Sequence, residues 1–163
     1  MILYHGSTVE IKEIDLAFSK PNKDFGKGFY LSDNFVQAYE MAQFKAELLG
    51  GVPLITKFEF NESILKGNKL KVLSFSEYSK EWAEFVFENR NQENQSFMHG
   101  YDIVIGSIAN DRVGIQIRRF IEGDISFETF LEKLKFMKGI TFQYYFGTQK
   151  AIETLKNKGI CND

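Results

Sequence analysis

Two histidines and one glycine-rich segment are the places in this chain where residue type and spacing could support chemistry. His5 follows the apolar run Ile2-Leu3-Tyr4 and precedes Gly6-Ser7. That pattern is expected to end a buried strand in a turn and to leave the imidazole at the edge of a cleft. A neutral imidazole can donate from one ring nitrogen and accept at the other, so His5 could orient a hydroxyl-bearing ligand. A lone histidine at a strand end is more often a structural hydrogen-bonding group, and His99, in a polar loop, is the plainer of the two. The segment Asp24-Phe25-Gly26-Lys27-Gly28-Phe29-Tyr30 sets two glycines just before an aromatic strand residue. Glycines there allow a ligand to approach the backbone closely. The segment is not a phosphate-binding loop, because it lacks the four-residue gap and the Lys-Ser/Thr ending and precedes a strand instead of following one. A plain tight turn is the competing reading.

The elements that must position these residues alternate irregularly. Strands are expected at Ile2 to Tyr4, Phe29 to Leu31, Leu54 to Phe60, Lys69 to Leu73, Asp102 to Ile105 and, as the last one, Ile140 to Phe146. Asp33 is expected to cap a helix whose apolar face carries Phe35, Ala38, Tyr39, Ala42, Ala46 and Leu49, with Gly50-Gly51 as its stop. Further helices are expected at Glu77 to Asn89, Arg112 to Ile121 and Phe127 to Met137, and Thr148 could cap a final one carrying Ala151, Ile152 and Leu155. The regular strand-helix rhythm of a doubly wound sheet is missing. The expected class is α+β, in a single domain spanning residues 1–163, with no repeat or low-complexity tract to divide it.

Composition narrows the function classes. With 22 acidic and 20 basic residues, no basic nucleic-acid-binding surface is evident. No stretch is long and apolar enough for a membrane span and the first residues do not read as a signal peptide, so a soluble, cytoplasmic protein is expected, with secretion by a specialised system left open. The single cysteine, Cys161, can form no internal disulfide and no metal cluster. The 17 phenylalanines point to a dense aromatic core.

Five segments taken in order carry a resemblance. Leu3-Tyr4-His5-Gly6-Ser7 and Asp24 to Ser32 are followed by Trp82-Ala83-Glu84-Phe85-Val86 with Asn89-Arg90. Tyr101 to Asp111 comes next, and then Phe142-Gln143-Tyr144-Tyr145-Phe146 with Thr148 and Ala151. Together they resemble a bacterial ADP-ribosyltransferase-like family of largely uncharacterised proteins, within the His-Tyr-Glu group of the ADP-ribosyltransferase superfamily, over nearly the whole chain. The resemblance implies a split mixed/antiparallel β-sheet core with flanking helices, and NAD as substrate with no metal. His5 would hydrogen-bond a ribose hydroxyl of NAD and Tyr30 would stack on nicotinamide. Gly26 and Gly28 would leave room for the ligand, and Gly6 and Ser7 would meet the nicotinamide carboxamide.

The third position departs from the family pattern. Where the family has a glutamate that stabilises the developing oxocarbenium ion, this chain has Gln143, which can accept the same hydrogen bond but brings no charge and cannot act as a base. Thr141 stands where arginine-modifying relatives carry a second glutamate, so arginine is a poor guess for the acceptor. Asn110 and Asp111 could line the cleft or merely cap the next helix, and Asp111 is the nearby carboxylate that could activate an acceptor. Arg90 could meet a phosphate or a helix C-terminus, while Trp82 and Phe85 fit a core face. The implied activity is mono-ADP-ribosyl transfer from NAD to an unknown protein, nucleic-acid or small-molecule acceptor. The alternatives are an NAD glycohydrolase, a catalytically weak NAD- or ADP-ribose-binding module, and a protein-interaction domain without a ligand.

Overall fold

The computed structural model describes residues 1–91, 98–137 and 141–161. Within them the chain is α+β, with two sheets and five helices. The strands are β1 (Ile2–Ser7), β2 (Phe29–Leu31), β3 (Leu54–Phe60), β4 (Val72–Ser74), β5 (Ile103–Ser107), β6 (Phe142–Phe146) and β7 (Leu155–Cys161). The helices are α1 (Phe35–Leu49), α2 (Lys80–Arg90), α3 (Asp111–Ile121), α4 (Phe127–Lys135) and the single turn α5 (Gln149–Ile152). One sheet is antiparallel in the order β1-β3-β7, and the other is mixed in the order β2-β6-β5-β4, with β4 parallel to β5. The sheets meet at one antiparallel bridge between Tyr4 and Ser32, whose backbone groups exchange hydrogen bonds of 2.7 and 2.9 Å.

Strand periodicity divides the interior. On β5 and β6, Val104 and Tyr145 face the helices and join Phe25, Trp82, Val86, Val113, Ile117 and Phe130 in one core. Ile103, Tyr144 and Phe146 face the other way and pack with Leu3, Leu31, Phe58 and Phe60 in a second core. This is the two-residue alternation of a sheet buried on both faces, and it puts Gln143 on the same face as Tyr145. Trp82, expected in a core, is fully buried, and its indole N–H donates to the Ser107 carbonyl at 3.1 Å.

Several expectations need correction. β1 runs on through Ser7, so His5 lies inside the ladder, paired with Thr56, and Gly6-Ser7 is not a turn. Asn34, not Asp33, caps α1, its side chain accepting from Gln37 N at 3.2 Å, while Asp33 accepts from the Tyr144 hydroxyl at 3.3 Å. Leu49, placed on the inner face of α1, is exposed. The fourth strand and the second helix start later than expected, at Val72 and Lys80. Thr148 does cap α5, but that helix ends at Ile152, and Leu155 opens a seventh strand along β3, so β6 is not the last. Ile140, the expected first residue of β6, and residues 92–97 of the expected polar loop lie outside the described residues.

Candidate functional site

β1, β2 and β6 each bring one of the expected side chains to a cleft of about 520 Å³ between the sheet junction, α1 and the start of α3. His5, Tyr30 and Gln143 line it together with Gly6, Asn110 and Asp111. Lys23, Asp24, Lys45 and Arg90, none of them given a defined role at the cleft by the sequence, line it too. Ser7, Gly26 and Gly28 do not.

His5 is fixed on both sides. Its ring stacks on Phe29 at 4.5 Å, and Nδ1 lies 2.8 Å from the Tyr30 carbonyl oxygen. A carbonyl can only accept, so Nδ1 carries the hydrogen and Nε2 keeps a lone pair. Burial, reinforced by the Lys45 ammonium, lowers the imidazole pKa from 6.5 to about 3. His5 is therefore neutral at any physiological pH and offers an acceptor to a hydroxyl group. His99 has no such freedom: Nε2 donates to the Phe25 carbonyl at 2.8 Å and Nδ1 accepts from Tyr101 N at 3.1 Å. Both nitrogens clamp protein backbone, so His99 is structural.

Tyr30 anchors the turn before it. Its hydroxyl donates to the Gly26 carbonyl at 2.6 Å and accepts from Phe25 N at 3.0 Å, and burial raises its pKa well above the ordinary value. The ring meets Tyr145 edge-on at 5.4 Å, and Lys23 Nζ lies over it at 5.0 Å. A flat ring stacking on Tyr30 would take the place of that ammonium. Tyr30→Phe keeps the ring but strands the Phe25 amide, so a loss of about 1–3 kcal/mol in urea unfolding is expected. An unchanged midpoint would show that the hydroxyl contributes nothing to the turn.

The glycines serve packing. A Cβ on Gly28 would lie 2.1 Å from the Tyr145 ring, and one on Gly26, at φ +88°, would lie 2.9 Å from Asn89 Oδ1. The room they leave is filled by the protein's own side chains, in place of the ligand expected there. Gly6 lets α1 rest on β1, and its carbonyl accepts from Lys45 Nζ at 2.7 Å. Ser7 is buried, its hydroxyl within 3.4 Å of Val9 N.

Gln143 is 9% exposed and its Nε2 donates to Asp24 Oδ2 at 2.7 Å. A carboxylate cannot donate, which turns the amide so that its Oε1 is the remaining acceptor. Asp24, 7% exposed, also accepts from Ala109 N at 2.8 Å and pairs through Oδ1 with Arg90 Nε at 3.1 Å. Burial raises the Asp24 carboxyl, opposed first by Arg90 and then by these hydrogen bonds. Asn110 caps α3, accepting from Val113 N at 2.9 Å, so the capping role considered for it is realised at the cleft wall. The Asp111 carboxylate is solvent-exposed, 3.9 Å from Arg90 Nη2.

The cleft wall also carries Lys23 and Lys45. Burial and the charges of Lys23 and Lys20 lower the Lys45 pKa from 10.5 to about 8, and burial with Lys20 lowers Lys23. Burial is the first cause in both cases, and an anion entering the cleft would offset it. Lys45 had a readable signal, since it follows Ala38 and Ala42 along the buried face of α1. Asp24 had a weaker one, as the carboxylate that opens the glycine- and aromatic-rich segment ending at Tyr30.

No helix among the described residues is long and apolar enough to cross a membrane. Neither a curated protein nor a solved structure matches the chain. One family does match, over residues 1–157. The chain belongs to that family, which is described as a protein of unknown function (DUF3990).

Proposed function

We propose that this protein is an NAD-dependent mono-ADP-ribosyltransferase with an ADP-ribosyltransferase-like fold. The observation that carries the reading is the convergence of His5, Tyr30 and Gln143, from three different strands, on one cleft walled by Lys23, Lys45 and Arg90. Each offers what NAD would need. The bare Nε2 of neutral His5 accepts from a ribose hydroxyl, the Tyr30 ring gives nicotinamide a stacking face, and the lysines balance a pyrophosphate. In the reaction the bond between nicotinamide nitrogen and ribose C1′ breaks and nicotinamide leaves with the electron pair. The acceptor nucleophile then bonds to C1′ and gives up a proton. Positive charge builds on the sugar as the bond lengthens, and an acceptor dipole fixed beside the ribose, the Gln143 carbonyl, stabilises it.

The test is release of nicotinamide from NAD by the purified protein, alone and with a cell lysate supplying acceptors. His5→Ala is expected to lower release roughly a hundredfold, since misplacing the sugar costs about that much. Release that needs no lysate makes the protein a glycohydrolase, with water as acceptor. NAD binding without release makes it a binding module, and equal release by wild type and His5→Ala removes the site assignment.

A further inference from the structure

Asp24 is a buried carboxylate that faces the cleft and for which the reaction as outlined has no use. Three donors from three elements converge on it: Arg90 Nε from the end of α2, Ala109 N from the segment before α3, and Gln143 Nε2 from β6. Its chain neighbour Phe25 belongs to the helix-side core. Many buried carboxylates are satisfied by arginine and backbone alone. This one also takes the amide hydrogen of the residue whose carbonyl the reaction needs.

We infer that Asp24 and Gln143 act as one divided acidic group, with Asp24 a positioning residue that holds the negative charge one hydrogen bond behind the amide that touches the sugar. The inference rests on the reading of the cleft as an NAD site. Physically, the carboxylate does two things. It fixes the rotamer of Gln143, because an acceptor-only partner admits only the NH₂ end of the amide. It also polarises that amide through a charge-assisted hydrogen bond, which increases the partial negative charge on Oε1.

The pairing explains why residue 143 is a glutamine. A glutamate there would set two carboxylates about 2.7 Å apart, the present Gln143–Asp24 distance, and like charges that close cannot both ionise. One would hold a proton into the neutral range. Arg90 already serves Asp24, and Asp111, on the far side of Arg90, adds a further negative charge. Lys23, beside Asp24 in sequence, points over Tyr30. The Tyr30 hydroxyl is committed to the turn at residues 25–26. Among the described residues no further cation around Asp24 is therefore placed to neutralise a second carboxylate. Gln143 is the residue that Asp24 requires, and the glutamate found at this position in the His-Tyr-Glu group is predicted to harm the site.

Four proteins test this: wild type, Gln143→Glu, Asp24→Asn, and the exchange Asp24→Asn/Gln143→Glu. Each is measured for thermal unfolding between acid and neutral pH and for kcat and KM of nicotinamide release. Gln143→Glu is expected to match wild type at acid pH and to lose stability progressively as pH rises and the pair must ionise. The exchange, with one carboxylate and one amide again, is expected to regain it. Asp24→Asn and Gln143→Glu are each expected to lower kcat about a hundredfold with little change in KM, and the exchange to restore it. Gln143→Glu that gains turnover and shows no new pH-dependent instability overturns the inference. So does an exchange protein that recovers stability but not kcat, which would leave the pair a structural brace. If wild type releases no nicotinamide, the NAD reading has failed, and the unfolding series still decides whether the two positions share one charge.

Discussion

Arg90→Ala is expected to lower stability by about 3 kcal/mol at neutral pH, because it leaves the Asp24 carboxylate buried without its counter-charge. The guanidinium lies 3.1 Å from Asp24 and packs so closely on the α3 backbone that a Cβ on Gly114 would stand 2.2 Å from Nη1. The sign of the pH dependence follows from Asp24. Its carboxyl is already raised above the ordinary 3.8 by burial, and loss of Arg90 raises it further. A native-state carboxyl that holds its proton more tightly than the unfolded one makes stability fall as pH rises through the gap between the two values. The deficit of Arg90→Ala is therefore smallest below pH 3.8 and grows toward neutrality. Urea unfolding at several pH values measures it, and a pH-independent deficit below about 1 kcal/mol would mean that solvent reaches Asp24 freely.

Gly6→Ala is the second large effect. A Cβ there would sit 1.9 Å from the carbonyl oxygen of Ala38 and 2.9 Å from the amide nitrogen of Ala42. Both are helix backbone atoms, so no side chain can swing aside and α1 as a whole must lift from β1. Overpacking of this severity is expected to cost about 3 kcal/mol or more. It would also draw Lys45 off the Gly6 carbonyl and widen the cleft. Gly67→Ala, at φ −80° with Ile64 O at 3.4 Å as its nearest contact, serves as the control and should stay within about 0.5 kcal/mol of wild type. Equal unfolding midpoints for the two variants would mean that α1 does not rest on Gly6.

Much of the framework was legible where one element decides its own pattern. β2 and β3 have the expected bounds, and α1 stops at the expected paired glycines, although its cap is Asn34 and not the expected Asp33. β7 was not legible. Leu155-Lys156-Asn157-Lys158-Gly159 is polar and follows a capped turn with helical spacing, and it becomes a strand only because β3 has an open edge to pair with. His5 and Tyr30 could be placed from local pattern and resemblance. The Asp24–Arg90–Gln143 group could not, because no short-range signal links residues so far apart in the chain. The glycines of the 24–30 segment showed the limit of local reading: their spacing suggests space for a ligand, and the space belongs to Tyr145 and Asn89.

Besides its local bonds to Ser19 and Tyr30, the turn at residues 24–28 is held by distant parts of the chain: Asp24 by Ala109 and Gln143, Phe25 by His99, and Lys27 by the Tyr145 hydroxyl, across sequence separations of 85, 119, 74 and 118 residues. Contacts this non-local form late, since a long loop must close before any of them is gained. A chain still emerging from the ribosome, with β6 not yet made, offers Asp24 only Arg90 and Ala109 and lacks the strand that brings Gln143 to the cleft. The cleft is therefore among the last parts of the protein to be completed, since two of its holding contacts wait for Gln143 and Tyr145.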